Sequence, residues 1–313
     1  MRTAFINALC DIADDDERIW LLTGDLGFSV LEPFAERFPD RFVNAGVAEQ
    51  NMTGVAAGLA SCGKIVCTYS IANFPTLRCL EQIRNDVCLH ELPVKIISVG
   101  GGFAYGAQGY THHGVEDLAV MRALPNMTVV APADPIEATL ATRALLRRPG
   151  PAYLRLGKSR EAVVHRQTPP FAIGQAVRVC EGTDVALIST GGMLGYVMET
   201  AEALATLHGI SARVLSMHTL KPLDVEAVIS AARETGAVVT VEEHSVVGGL
   251  GSAVADVVAT MDGSHAPLHK YGAPDRVNHL VGQQEVLRRM AGDLVEIVQS
   301  ALRKHRQAVP CGA

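Results

Sequence analysis

Asn44-Ala45-Gly46-Val47-Ala48-Glu49-Gln50-Asn51-Met52, followed by Thr53-Gly54-Val55-Ala56-Ala57-Gly58-Leu59-Ala60, is the stretch on which the reading of this chain turns. It leaves the end of a short strand, Arg41–Asn44, and continues into a helix. Its glycines and alanines leave room for another backbone to come close. Glu49 is the one ionisable residue in that helix, and two readings of it are open. In the first turn of a helix an acid is favoured by the dipole and needs no further role. Ahead of an apolar run, however, it is drawn inward, and a buried carboxylate is costly unless paired or hydrogen-bonded. Something should receive it.

Working outward, the same alternation of strand and helix fills the whole chain. The first half predicts strands at Ile19–Leu22, Arg41–Asn44, Ile65–Tyr69, Val94–Val99, Met127–Ala131 and Ala152–Leu156. Between them the spacing predicts helices over 2–14, 33–37, the Glu49 segment, 76–90, 115–124 and 135–146. From Ser159 to Phe171 the periodicity vanishes and Pro169-Pro170 appears, which marks a linker. A second alternating unit follows, with strands at Val185–Ser189, Ala212–Ser216, Ala237–Val241 and Leu268–Tyr271. Its helices are expected over 194–207, 224–234, 251–261 and 283–304, with a frayed tail after Arg306. These patterns imply an α/β protein with two doubly wound, mostly parallel sheets. The expected domains are 1–160 and 181–313, joined by a linker over 161–180.

Composition narrows the class. The 313 residues suffice for two domains with their own cores, and 48% of them are hydrophobic. A formal charge of −6 argues against a nucleic-acid surface. The seven cysteines show neither CxxC pairs nor metal-ligand spacing and read as thiols of a reducing compartment. There is no signal peptide and no run long enough to span a membrane, so a cytoplasmic location is expected. Gly100-Gly101-Gly102 is not a dinucleotide fingerprint, and neither Gly191-Gly192 nor Gly249-Leu250-Gly251 completes one.

Gly46-Val47-Ala48-Glu49-Gln50 resembles the segment carrying the catalytic glutamate in the pyrimidine-binding domain of the transketolase group of thiamine diphosphate enzymes. That group includes transketolase, deoxyxylulose-phosphate synthase and the beta subunits of 2-oxo acid dehydrogenases. Thr111-His112-His113-Gly114-Val115-Glu116-Asp117 and Arg122–Asn126 continue the likeness, which covers nearly the whole chain. The resemblance implies that Glu49 hydrogen-bonds N1′ of the aminopyrimidine and promotes its imino tautomer. It implies that Phe74 faces that ring, with Asp25 and Ile71 beside the cofactor. His112 falls where the family places the histidine that moves the proton of the reacting hydroxyl. His113 is a second candidate, or holds the loop.

Two departures bear on the substrate. Where transketolase has a phosphate-contacting histidine this chain has Gly100, and where it has a sugar-binding aspartate this chain has Gln108. Arg2 and Ser29 fall on phosphate-contacting positions, and Lys158 falls where the family often has arginine. Lysine meets a phosphate only as a point charge. The Gly-Asp-Gly…Asn ligand pattern for the diphosphate's magnesium is absent, and Gly24-Asp25-Leu26 does not supply it. The chain therefore resembles the second half of a split transketolase. The resemblance implies that a separate diphosphate-binding partner ligates the magnesium in an α2β2 heterotetramer. It would move a two-carbon ketol unit from a ketose or ketose phosphate to an aldehyde. The alternatives are an E1-type beta subunit, an acyloin-forming enzyme similar to deoxyxylulose-phosphate synthase, and a non-catalytic subunit that has kept the fold.

Overall fold

The computed structural model describes residues 1–159 and 161–308. Strands run Ile19–Thr23 (β1), Phe42–Asn44 (β2), Ile65–Ile71 (β3), Val94–Val99 (β4), Thr128–Val130 (β5) and Ala152–Leu156 (β6) in the first half. Val177–Cys180 (β7), Val185–Ser189 (β8), Ala212–Ser216 (β9), Thr219–Lys221 (β10), Val238–Ser245 (β11) and Leu268–Ala273 (β12) follow. The helices are Arg2–Ala13 (α1), Glu32–Arg37 (α2), Glu49–Ser61 (α3), Leu80–Gln82 (α4), Asp117–Ala123 (α5) and Pro135–Arg147 (α6). Leu194–His208 (α7), Val225–Glu234 (α8), Leu250–Val258 (α9), Gln284–Arg288 (α10) and Leu294–Ala308 (α11) complete them.

Two sheets result, as the alternation predicts. One is seven-stranded in the order β10-β5-β6-β4-β3-β1-β2, and the other five-stranded in the order β12-β11-β8-β9-β7. Their central strands are parallel and buried on both faces, which is why β4 and β6 read as largely apolar runs. Local signals set the helix ends. Asp134 caps α6 by accepting from the Glu137 amide at 2.9 Å, with Pro135 in the first turn. Gly209, at φ +61°, ends α7 in the left-handed region.

The structure departs from the sequence pattern in several places. β10, from the second half, pairs antiparallel with β5 and completes the first sheet. β7, inside the expected linker, pairs antiparallel with β9 at the edge of the second. Both are short, and edge strands carry a weak periodic signal. The helix expected over 76–90 is instead a 3₁₀ turn at Leu77–Cys79, the short α4 and a π-turn at Ile83–Cys88. The helix expected over 283–304 is broken at Gly292 (φ +103°), after which Asp293 accepts from the amides of Val295 and Glu296. The frayed tail expected after Arg306 falls partly outside the described residues; α11 itself extends to Ala308.

One apolar core joins the two sheets. Met52, Ala56 and Met121 from the first half cluster with Ile188, Leu215, Val228 and Val254 from the second. The linker is pinned as well, since Asp134 Oδ2 accepts from the amides of Val164 and His165 at 3.0 Å. Of the described cysteines, Cys10, Cys67, Cys79 and Cys88 are buried free thiols, and burial pushes Cys67 up to about 12. Among the described residues no helix is long and apolar enough to cross a membrane.

Candidate active site

Strands β1, β2, β3 and β4 are parallel neighbours, so Thr23, Asn44, Ile71 and Val99 finish on one edge of the sheet. Ligands of open α/β sheets sit at that edge. Glu49 is the first residue of α3, which begins just past β2. Its side chain turns inward and is 2% exposed. Its Oε2 accepts from Arg78 Nη1 at 2.6 Å, and Ser70 Oγ reaches Oε1 at 3.4 Å. Gly24 is packed against it, because a Cβ there would lie 3.3 Å from Glu49 Cγ. The partner that the sequence demanded for Glu49 is thus Arg78, presented by the 3₁₀ turn that replaces the expected helix.

From this pair a continuous row of side chains crosses the edge. The Arg78 guanidinium lies 4.6 Å from the centroid of the Phe74 ring. Phe74 meets His112 edge-on at 5.4 Å, and His112 stands 6.3 Å from Tyr105. Lys158 Nζ lies 4.3 Å from the Tyr105 centroid. Burial raises the Tyr105 phenol above its ordinary range while the nearby Arg2 charge pulls the other way. Tyr69 is raised by burial too, with Arg2 again opposing, so Arg2 belongs to the Lys158 end of the row. Glu49, Phe74, His112, Lys158 and Arg2, scattered in sequence, are therefore brought together.

Other expected residues stand apart from the row. Asp25 (φ +57°) is exchanging hydrogen bonds with Asn44, its amide donating at 3.1 Å and its carboxylate accepting at 2.9 Å. Ser29 (φ +63°) is exposed, with its amide on Glu32 Oε1. Gln108 is exposed on the 3₁₀ turn Gly106–Gln108. Ile71 closes β3, its carbonyl accepting from the Phe74 amide at 2.8 Å. His113 is 1% exposed and packs edge-on to Phe103 at 5.1 Å, which fits the loop-holding reading. Asn73 Nδ2 donates to its carbonyl at 2.6 Å.

The glycine-rich loop is held from beneath. Arg155 passes under Gly101, where a Cβ would lie 2.0 Å from its Nε. Its Nη2 donates to the carbonyls of Gly114 at 2.6 Å and Glu243 at 2.9 Å, and Asp117 pairs with its Nε at 2.9 Å. Glu243, on β11 of the second sheet, accepts from the Phe103 amide at 2.6 Å and from Arg288 Nε at 2.6 Å. Arg78, Tyr105, Arg155 and Glu243 are absent from the sequence reading. Only Arg78 left a trace there, as the missing partner of a buried acid.

The residue types suit the aminopyrimidine of thiamine diphosphate, a buried carboxylate and a half-buried aromatic ring, and Arg78 bridges the two by bonding the carboxylate and lying over the ring. Among the described residues no group of three or more His, Cys, Asp or Glu side chains could hold an ion.

Comparison with known proteins identifies the family. Residues 1–162 match the family described as transketolase, pyrimidine binding domain, and residues 174–292 match transketolase, C-terminal domain. The chain is 40% identical over 276 residues to an apulose-4-phosphate transketolase subunit of Phocaeicola vulgatus, spanning 88% of this chain and 87% of that one. It is 38% identical over 303 residues to a 6-deoxy-6-sulfo-D-fructose transketolase subunit of Clostridium sp. strain MSTE9, spanning 96% and 93%. A solved split-gene transketolase, described as an inactive beta4 tetramer, is 40% identical and superposes with a TM-score of 0.86 over 96% of this chain and 97% of that one.

Proposed function

The chain belongs to the transketolase family, and on that premise we propose that it is the catalytic second half of a split transketolase. Its complement is a separate polypeptide that ligates magnesium and grips the diphosphate of the coenzyme, in an α2β2 assembly. The observation that carries the reading is the row from Glu49 through Phe74 and His112 to Lys158. It pairs residues suited to a pyrimidine with a histidine and a cation suited to a sugar's anionic end.

Thiamine diphosphate is the coenzyme of this family, and when bound it supplies the nucleophilic carbon and the electron sink for breaking a ketose carbon–carbon bond. The roles of this chain are those of binding and proton transfer. Glu49 holds a proton at the pyrimidine ring nitrogen from a buried site, where a charged hydrogen bond is stronger than in water. Phe74 offers the pyrimidine the face that Arg78 does not cover. His112 takes the proton of the donor hydroxyl as the bond breaks and returns one to the acceptor. Arg2 and Lys158 hold an anionic end group of the sugar. Asp25, Ile71, Ser29, Gln108 and His113 line or brace the same edge.

The need for a partner has its own support. α3 turns an exposed face of small residues outward, including Gly54 and Gly58, where an added Cβ would meet nothing within 4 Å. Val47 and Val55 are exposed beside it. The similar beta4 tetramer is described as inactive.

The test is reconstitution. This chain and a polypeptide carrying Gly-Asp-Gly…Asn are purified apart and mixed, and thiamine diphosphate binding and ketol transfer are measured. Both are expected only in the mixture with magnesium. Ketol transfer by this chain alone would overturn the reading.

A further inference from the structure

We propose that Tyr105 selects the donor by the length of its sugar chain, acting as a wall between the reacting end and the end-group site. Its ring occupies the space above Gly100, where a Cβ would lie 2.1 Å from Tyr105 Cε2 and 2.5 Å from Cδ2. Gly100 also has φ +78°, a conformation that favours glycine and disfavours any side chain there. The ring therefore takes the place of anything residue 100 could contribute to the site.

Two neighbours give the ring its meaning. The His112 ring stands 6.3 Å from its centroid, and Lys158 Nζ lies 4.3 Å from the same centroid. The ammonium is held there by cation–π attraction, so the position of the end-group cation depends on the ring itself. The phenol is half-buried and stays neutral at working pH, because burial raises it despite the opposing charge of Arg2. A neutral, rigid aromatic wall thus sets the distance between the proton-transfer histidine and the cation. Donors whose anionic end reaches Lys158 along that wall are accepted, and longer chains are pushed past it.

This inference rests on the roles given above to His112 and Lys158. It is tested with the assembled complex carrying wild-type chain, Tyr105→Phe, Tyr105→Leu or Tyr105→Ala. Values of kcat/KM are compared for ketose phosphates of five, six and seven carbons. Mismatch in a packed pocket is worth about 10–200-fold. Tyr105→Ala is expected to shift the seven-to-five-carbon ratio by about tenfold or more toward the longer donor, chiefly through KM. Tyr105→Leu shifts it in the same direction and carries the test if the alanine variant does not fold. Tyr105→Phe keeps the wild-type ratio. An unchanged ratio in both truncations, or a phenylalanine variant that shifts it as alanine does, would overturn the assignment of the ring as the wall. A wild-type complex that transfers from no ketose would instead remove the underlying function.

Discussion

Arg78 donates through Nη1 to Glu49 Oε2 at 2.6 Å while its guanidinium lies over the Phe74 ring, so one exposed cation meets the charge of one buried acid. The carboxylate is 1% exposed and the arginine 44%. Their pairing gives the buried carboxylate a charged partner, and it separates the stability of this site from its chemistry.

Glu49→Gln keeps the shape of the side chain and removes its proton chemistry. Ketol transfer by the assembled complex should fall by about 10²–10⁴-fold. Thermal unfolding and co-elution with the partner should stay close to wild type. Near-normal turnover would remove Glu49 from the mechanism.

Arg78→Ala leaves a buried carboxylate without its charged partner. The isolated chain should lose about 1–3 kcal/mol, since charged hydrogen bonds are worth that much and the arginine is partly solvated. Adding Glu49→Gln should restore part of the loss, because the uncompensated charge is then gone. Urea unfolding of the four chains of the double-mutant cycle measures the coupling; strictly additive losses would contradict it.

Glu243→Ala removes the acceptor that ties the Phe103 amide and Arg288 to the second sheet. Breaking such a buried network should cost about 3 kcal/mol. Because Phe103 belongs to the loop that carries His112, KM for the ketose should rise as well. Steady-state kinetics and calorimetry of the complex would show both, and loss of stability with an unaltered KM would uncouple the loop from the second sheet.

His165 Nε2 stands 2.8 Å from Glu137 Oε1, which also accepts from Ser216 Oγ at 2.7 Å. The bond to Glu137 raises His165 above the ordinary histidine range. Burial pushes Glu137 up, but His165, His218 and Ser216 outweigh it and hold the carboxyl below its usual range. A raised histidine stabilises fully below its unfolded value, about 6.5, and loses this as pH rises through the folded one. A lowered carboxylate stabilises fully above about 4.3 and loses this as pH falls through its folded value. The pair therefore contributes most between roughly pH 4.3 and 6.5. The melting-temperature advantage of wild type over His165→Gln should shrink above that window, and an advantage that stays constant up to about pH 9, well past the ordinary histidine range, would contradict the assignment.

Gly54→Leu and Gly58→Leu add side chains at positions where a Cβ meets nothing within the chain. Replacing a helical glycine should stabilise the isolated chain by about 0.5–1 kcal/mol. If α3 packs against the partner, the same changes should weaken assembly tenfold or more, read by titration calorimetry. Unimpaired assembly would place the partner elsewhere.

Much of this protein is legible without coordinates. The alternation of apolar runs with amphipathic stretches located the long parallel strands, because a strand buried on both faces must be largely apolar throughout. The acid in the small-residue helix and the histidine pair after the glycine loop pointed to the candidate edge, where the structure brings Glu49 and His112 into one row of side chains. What failed locally failed for identifiable reasons. β10 and β7 are stabilised by strands distant in sequence, Val130 and Leu215 among their partners, so their own residues carry little signal. The stretch 76–90 has helical spacing, yet Pro75 precedes it and the Thr76 hydroxyl donates to the Ala72 carbonyl at 2.9 Å, a bond that competes with regular winding.

The sequence by itself determined the two α/β sheets, the strand ends at which the candidate residues converge and the demand that Glu49 be met. Tertiary structure alone decided that Arg78 meets it, that Tyr105 fills the space over Gly100 and that Glu243 of the second sheet holds the loop of the first. Periodicity and propensity act between neighbours in the chain. Pairing of a buried charge and filling of a void act between neighbours in space, and only the closed fold says which residues those are.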